Sequence, residues 1–175
     1  TTLVSALSMT PTPLANDFRA KKDLRTTQNY FPLEVLRCES CGHLQLANVV
    51  DPETLFEDYI YVSGTSPSFV AHFETYARSA SDAADLNAGD LVVDIGSNDG
   101  TLLKAFKALG ARIKGVDPAR NIAKSANLAG VPTICDFFTE EIAEKIRTEE
   151  GHAKIITANN VCAHIDDLSG FFKTV

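Results

Sequence analysis

The chain has 175 residues, enough for one full domain or one and a half small ones. Hydrophobic residues make up 45% and charged residues 22%, a balance that excludes a chain disordered throughout. The net charge of -7 and the pI of about 5.0 argue against nucleic acid or a membrane surface as a partner. No apolar run approaches the ~20 residues that span a bilayer, and the first residues lack the pattern of a signal peptide.

The four cysteines favour free thiols or metal ligands over disulfides, because the chain is acidic and otherwise reads as an enzyme. We therefore expect a cytoplasmic protein.

Residues 1–66 are predicted to form a small irregular module. The stretches "PLEVLRC" and "HLQLAN" alternate apolar and polar residues as a half-buried hairpin does, and they flank Cys38 and Cys41. A C-x-x-C pair in a hairpin turn is typical of a zinc knuckle, since two thiolates then reach one ion at ~2.3 Å. The pair supplies two of the four ligands that a tetrahedral zinc site needs. His43 is a further candidate ligand, and a thioredoxin-like redox pair is the other interpretation.

Residues 67–175 are predicted to form a second domain. Apolar residues recur at helical spacing after Pro67, and "LVVDI" then reads as a buried strand. Strands and helices alternate four times from there. Glycines end three of the helices, and Thr139 caps the start of the third of these. This alternation predicts an α/β fold: a Rossmann-like, doubly wound parallel sheet of about four strands, shorter than is usual for such a sheet.

A glycine turn follows the first strand of this sheet, in "DIGSNDG". Gly96 allows a tight turn near a ligand, Gly100 allows close passage into the helix, and Asn98 tolerates a left-handed backbone. The spacing lacks the third glycine of the dinucleotide pattern, and Asp99 would repel a phosphate. An acidic turn of this kind suits S-adenosylmethionine, which carries an ammonium and a sulfonium and no phosphate.

Polar and aromatic side chains also follow the other strands. In a parallel sheet these strand ends share one edge, where ligands bind. Asp117 is a candidate acceptor for ribose hydroxyls, Asp136 for an adenine amino group, and Phe137 or Phe138 for the ring face. Asn159 or Asn160 would reach the methionyl part of the ligand.

At these residues the chain resembles the class I S-adenosylmethionine-dependent methyltransferases. The stretches "DIGSNDG", "GVDPA", "CDFF" and "ANNVCAHI", with "RCESCGHLQL" and "DYIYVSGTS" before them, resemble the C-methyltransferases of nucleotide-linked deoxysugars. In that family an enolate formed beside a sugar ketone takes up the methyl group. The resemblance implies that Asp94, Gly96, Asn98, Gly100 and Asp117 hold the cofactor, with Asp136 and Phe137 near adenine. Asp99 in the turn and Asn159 and Asn160 after the fourth strand are further candidates from their places in the sequence. The resemblance also implies catalytic roles for Tyr59 and Tyr61, and His164 is the candidate that follows the fourth strand.

Two departures from the family pattern bear on these expectations. The family's zinc site uses two C-x-x-C pairs, of which this chain has Cys38 and Cys41, and the other pair would lie before Thr1. The family's C-terminal domain, which supplies a His and Glu pair, is also not in the sequence. We therefore expect a fragment that does not complete methyl transfer by itself.

Two other functions are compatible with parts of the pattern. One is a nicotinamide-dependent oxidoreductase, disfavoured by the missing glycine and by Asp99. The other is a non-catalytic zinc-knuckle interaction module.

Among the remaining candidates, we expect Cys135 and Cys162 to be buried apolar residues and His72 to be a core histidine.

Overall fold

A computed structural model describes residues 2–57 and 59–175, and the chain divides into two compact units, Thr1–Leu55 and Phe56–Val175. The sequence analysis placed the boundary between the two functional domains after residue 66. That domain boundary stays a prediction, because the compact units describe packing and not function. Helix α1 (Pro52–Phe56) begins at a proline, a residue that suits the first turn of a helix, and carries the chain from the first unit into the second.

The first unit contains a three-stranded antiparallel sheet, in which β2 (Phe31–Cys38) lies between β1 (Leu3–Thr12) and β3 (Leu44–Leu46). Strands β2 (Phe31–Cys38) and β3 (Leu44–Leu46) form the predicted hairpin, with Val35 opposite Leu46. Strand β1 (Leu3–Thr12) was not predicted. Its pairing with β2 is interrupted by two register shifts, so a regular alternation is missing from its sequence.

The second unit alternates helices and strands as predicted. Its helices are α2 (Pro67–Ala83), α3 (Thr101–Ala108), α4 (Arg120–Leu128), α5 (Glu140–Glu150) and α6 (Leu168–Thr174). Its strands are β4 (Leu91–Ile95), β5 (Arg112–Val116), β6 (Thr133–Ile134) and β7 (Ala153–Thr157). Thr139 caps α5, where its hydroxyl accepts the Ile142 N–H at 3.3 Å.

The four strands of the second unit form a parallel sheet in the order β6-β5-β4-β7, which confirms the predicted fold class. The chain moves outward from β4 through β5 to β6 and then returns to the other side of β4. Strand β4 is therefore the point where the strand order reverses. Ligands of such sheets bind at this point, beyond the carboxyl ends of the strands.

Apolar side chains cover both faces of this sheet. On one face Val92 and Ile113 pack with Leu103 and Phe106 of α3 and with Phe73 of α2. On the other face the alternate residues of the strands pack against α5, in a cluster of Leu91, Val93, Val116, Ile142 and Ile146. Helices therefore pack on both faces of β4, and all five residues of this strand are buried up to the turn that follows.

Three further expectations can be compared with the structure. His72 and Cys135 are exposed and Cys162 is half-buried, so their predicted burial is wrong. His72 stacks along α2 with Phe69 at a ring-centroid distance of 6.0 Å, on the outer side of the apolar stripe.

Within residues 2–57 and 59–175, no helix combines the length and the hydropathy that crossing a bilayer requires.

Asp94 is the charged residue that the sheet encloses most fully, with only 4% of its surface exposed. The Thr157 hydroxyl on the neighbouring strand donates a hydrogen bond to Asp94 Oδ1 at 2.6 Å. Burial raises the pKa of Asp94 to about 7, and the negative charge of Asp117 adds to this effect, while the Thr157 hydrogen bond opposes it.

Replacing Asp94 with asparagine should change how stability depends on pH. In the wild-type protein the folded state keeps a proton that the unfolded state releases near the ordinary carboxyl pKa of 3.8. The free energy of unfolding therefore falls as the pH rises from about 4 to about 7, by on the order of 4 kcal/mol at most, and then levels off. Asp94→Asn keeps the acceptor for Thr157 and should lack this fall, as measured by urea unfolding followed by circular dichroism.

The matched control is Asp82→Asn, which changes an exposed carboxylate on α2. It should follow the wild-type pH dependence. Parallel curves for wild type and Asp94→Asn between pH 4 and pH 7 would contradict the assignment.

Candidate functional site

The glycine turn after β4 has the backbone that the sequence predicts. Gly96, Asn98 and Gly100 have φ angles of 69°, 51° and 73°, all in the left-handed region. A Cβ on Gly96 would lie 2.6 Å from Val161 Cγ2, and one on Gly100 would lie 2.6 Å from Val131 Cγ1. The turn therefore needs glycine at these two positions both for its backbone angles and for space.

Asp117 at the end of β5 holds this turn in place. Its Oδ2 accepts the backbone N–H of Asn98 at 2.8 Å, and its Oδ1 accepts the backbone N–H of Ala119 at 2.9 Å. Burial raises the pKa of Asp117, and the two backbone hydrogen bonds oppose this effect. Because an ionised carboxylate offers about four acceptor positions, each oxygen retains capacity for one more donor.

A segment that precedes α2 is tied to the same turn; we call its described residues, 56–57 and 59–65, the strap. The Asn98 side chain donates from Nδ2 to the Tyr61 carbonyl at 2.9 Å and accepts the Ser63 N–H on Oδ1 at 3.0 Å. The Asp99 carboxylate accepts the Gly64 N–H at 3.1 Å. Two successive residues of the turn thus bind the strap backbone at three positions, Tyr61, Ser63 and Gly64.

Asp99 is occupied mainly with holding the chain itself. Besides the Gly64 N–H, it accepts the Thr101 hydroxyl at 2.7 Å and the Thr101 N–H at 3.3 Å, at the start of α3. A Cβ on Gly64 would lie 2.5 Å from Asp99 Oδ2, so glycine allows the close approach. The structure gives Asp99 a role in fixing the turn and the strap, which the sequence did not reveal.

The strap is tied at a second place, beside β5. Glu57 forms an ion pair with Arg120, and its carbonyl accepts the Arg120 N–H at 3.2 Å. Arg120 begins α4, directly after the Asp117 loop. The strap therefore runs from the carboxyl end of β5 to the carboxyl end of β4.

The three candidate catalytic residues are connected by aromatic contacts. The Phe56 ring lies 6.0 Å from the Tyr59 ring and 5.5 Å from the His164 imidazole, measured between centroids. Tyr59 and Tyr61 lie 6.4 Å apart in an edge-to-face arrangement. Tyr61 is 46% exposed, so its side chain remains accessible to a ligand. The strap thus links Tyr59 and Tyr61 to His164, which follows β7.

The residues predicted to meet adenine lie after β6. Asp136 is exposed, and its Oδ1 accepts the Phe137 N–H at 2.8 Å. Phe137 and Phe138 are both half-buried, and Phe138 packs against a core cluster and beside Phe171, with the ring centroids 5.8 Å apart. Between the two phenylalanines, Phe137 is therefore the one that remains available at the sheet edge.

Cys135 was not predicted as a site residue, but the pKa of its thiol is affected by the carboxylates at this edge. Partial desolvation raises the pKa of its thiol, and the carboxylates of Asp117 and Asp136 raise it further. Asp117 and Asp136, from successive strand ends, therefore act on the same thiol. No motif in the sequence pointed to this cysteine.

Two buried polar atoms near the turn lack a hydrogen-bond partner in the described part of the chain. They are Ser97 Oγ, within the turn, and Asn159 Nδ2, after β7. Buried polar groups are normally paired, so orphaned ones indicate a missing ligand or water. Asn160 is exposed, with φ at 56°. Asp94 lies below the turn and is paired with Thr157.

The Cys38 and Cys41 thiols lie together in the first unit, with their sulfur atoms 3.3 Å apart. The Cys41 backbone N–H, followed by its thiol, lowers the pKa of Cys38. Two thiolates on one tetrahedral zinc ion lie about 3.8 Å apart, so the pair fits two of four ligand positions. Within residues 2–57 and 59–175, no group of three or more potential ligands gathers at one place. Zinc binding by Cys38 and Cys41 stays a prediction, and no catalytic step depends on it.

Comparison with protein families supports both parts of the chain. A family described as a zinc binding domain matches residues 1–56, and a family described as a methyltransferase domain matches residues 70–175.

Individual relatives agree with these matches. The chain is 38% identical over 165 residues to the C-methyltransferase NovU of Streptomyces niveus, which covers 94% of this chain and 39% of NovU. It is 35% identical over 91 residues to the ubiquinone biosynthesis O-methyltransferase of Methylobacterium sp. (strain 4-46), covering 50% of this chain and 35% of that protein. The chain thus spans about two fifths or less of the length of these relatives.

A solved structure shares the fold. A protein of Methanococcus maripaludis, described as an S-adenosyl-L-methionine-dependent methyltransferase, superposes with a TM-score of 0.50 at 17% identity, covering 64% of this chain and 52% of that one. The family match at residues 70–175 extends over more than half of the sequence. The chain therefore belongs to the methyltransferase domain family.

Proposed function

We propose that residues 56–175 bind S-adenosylmethionine, and that the protein transfers its methyl group to a carbon beside the ketone of a nucleotide-linked sugar. The observation that carries the proposal is the arrangement at the carboxyl edge of the sheet. There Asp117 holds the glycine turn, and the turn holds the strap that bears Tyr59 and Tyr61.

The residues at this edge suit an adenosine with a cationic tail. Asp117 has acceptor capacity for the two ribose hydroxyls, while Asp136 and Phe137 serve the adenine amino group and ring face. Ser97 Oγ and Asn159 Nδ2 are buried polar atoms that a ligand would satisfy. The cofactor residues of the proposal are Asp94, Gly96, Asn98 (as part of the turn backbone), Asp99, Gly100, Asp117, Asp136, Phe137, Asn159 and Asn160. When bound, the cofactor supplies an electrophilic methyl group on a sulfonium.

Tyr59, Tyr61 and His164 serve the substrate in this proposal. Removing a proton from the carbon beside a ketone builds negative charge on the ketone oxygen, and a tyrosine hydroxyl directed at this oxygen stabilises that charge. His164 accepts or relays the proton, because an imidazole nitrogen can act as a general base. The enolate carbon would take the methyl group that bound S-adenosylmethionine supplies, with S-adenosylhomocysteine as the other product.

The similarity to NovU supports carbon as the methyl acceptor, since that relative is a C-methyltransferase. The O-methyltransferase relative covers only half of this chain. The substrate is a small molecule in this proposal, and the net charge of -7 disfavours nucleic acid. Four free cysteines favour a reducing, cytoplasmic compartment.

The rival with a specific basis is binding of a nicotinamide dinucleotide on the same type of sheet. A diphosphate needs free N–H groups at the helix N-terminus and no negative charge beside them. Here Asp99 lies at the start of α3 and accepts the Thr101 N–H. This arrangement favours the phosphate-free cofactor.

Calorimetry with S-adenosylhomocysteine and with NAD separates these two functions. We expect the chain to bind S-adenosylhomocysteine and not NAD. Asp117→Asn should weaken binding by roughly tenfold, because it removes a charged acceptor from the ribose. The matched control is Asp90→Asn at the amino end of β4, where the carboxylate accepts the Asn87 N–H at 2.8 Å. It should leave the affinity unchanged. Binding of NAD alone would overturn the proposal.

Methyl transfer itself is tested with the enzyme produced from its full gene, S-adenosylmethionine and a nucleotide-linked ketosugar. We expect mass spectrometry to detect a product heavier by one CH2, with the new carbon bonded to carbon. Tyr61→Phe should slow its formation by on the order of 10²-fold, since it removes a proton donor from the ketone. Tyr30→Phe, in the first unit, should not. Methylation on oxygen, or equal rates for both variants, would contradict the proposal.

A further inference from the structure

We propose that Asn98 is a positioning residue whose side chain sets the place of Tyr59 and Tyr61, and that this side chain does not bind the cofactor. This inference rests on the proposed function, because it assigns a task to one residue of that site. It also separates Asn98 from the glycines beside it, which shape the turn for a ligand.

The Asn98 amide provides both a donor and an acceptor to the strap backbone. It donates to the Tyr61 carbonyl at 2.9 Å and accepts from the Ser63 N–H at 3.0 Å, so both of its ends are engaged. A carboxylate of the same shape offers acceptors alone, and glycine offers neither group. The residue that fits this place must therefore carry a donor and an acceptor and must also tolerate a φ of 51°.

The backbone of Asn98 connects the same residue to the ribose side of the site. Its N–H donates to Asp117 Oδ2 at 2.8 Å. The hydrogen bonds thus run from Asp117 through Asn98 to Tyr61 and Ser63. A displacement of the turn at one end of this series is passed to the strap at the other end.

Tyr59 and Tyr61 lie between the two residues at which the strap is attached to the rest of the domain. Glu57 is fixed to Arg120, and Gly64 is fixed to Asp99. Tyr61 lies between them. Within the described residues, its backbone carbonyl is held by the hydrogen bond from Asn98 Nδ2. The Tyr59 ring contacts the Tyr61 ring at 6.4 Å, so releasing Tyr61 also alters the surroundings of Tyr59.

The test compares Asn98→Gly with Asp85→Gly in the 175-residue chain. Both positions have a left-handed backbone, with φ of 51° and 48°, so both changes relieve the same kind of strain. Asp85 is exposed in the loop after α2 and lies outside the proposed site. A second variant, Asn98→Asp, keeps the acceptor for the Ser63 N–H and removes the donor to Tyr61.

The first readout is hydrogen exchange of the Gly64 amide, which is bonded to Asp99 and not to Asn98. Losing two hydrogen bonds should raise the open population of the strap, and hence this exchange rate, by roughly tenfold or more in Asn98→Gly. Asn98→Asp should change it in the same direction, and Asp85→Gly should not change it.

The second readout is tyrosine fluorescence. The chain has no tryptophan and four tyrosines. With Tyr30→Phe and Tyr76→Phe in the background, emission comes from Tyr59 and Tyr61. Its anisotropy should fall in Asn98→Gly and stay at the parent value in Asp85→Gly.

The third readout separates positioning from cofactor binding. Calorimetry should give Asn98→Gly an affinity for S-adenosylhomocysteine within about threefold of the parent protein. In the enzyme from the full gene, kcat should fall on the order of 10²-fold at an unchanged KM for S-adenosylmethionine, as expected for a misplaced catalytic group.

Two results would overturn the inference. One is a large loss of affinity in Asn98→Gly with normal Gly64 exchange, which would place the side chain on the cofactor. The other is normal exchange and normal anisotropy together. If the parent chain itself fails to bind S-adenosylhomocysteine, the proposed function fails, while faster exchange in Asn98→Gly would still support the tie between Asn98 and the strap.

Discussion

Asp117 accepts the backbone N–H of Asn98 at 2.8 Å, and through this hydrogen bond the end of β5 fixes the turn that follows β4. The two strands are already aligned by their parallel pairing, which ends at Ile95 and Val116. The added hydrogen bond extends that alignment into the loops. The turn in turn holds the strap, so a single carboxylate supports both the proposed cofactor residues and the tyrosines proposed to act on the substrate.

The carboxyl groups of Asp94 and Asp117 are buried at this edge, and burial disfavours their ionised forms. Burial raises the pKa of both Asp94 and Asp117. The cost is reduced differently in each case, by the Thr157 hydroxyl for Asp94 and by two backbone N–H groups for Asp117. A sulfonium and an ammonium close to this edge would favour the charged forms. The acidic edge is therefore a reason to expect a cationic ligand, and it opposes a diphosphate.

The parts of this fold that repeat along the chain were predictable, because strand and helix periods and glycine caps are local signals. The sequence also predicted the left-handed backbone of Asn98, and it identified Cys38 and Cys41 as neighbours. It did not predict that the amide of Asn98 and the carboxylate of Asp99 bind the strap, since the two partners are some 35 residues apart. Strand β1 was missed because its register shifts break the alternation, and Cys135 was misplaced because its exposure depends on how β6 ends.

The most direct test of this account is a crystal structure of the chain with S-adenosylhomocysteine. The account predicts adenosine along the carboxyl ends of β4 and β5, with both ribose hydroxyls on Asp117 and with the Asn98 amide still bonded to Tyr61 and Ser63. Adenosine bound elsewhere, or an Asn98 side chain that leaves the strap to contact the ligand, would contradict it.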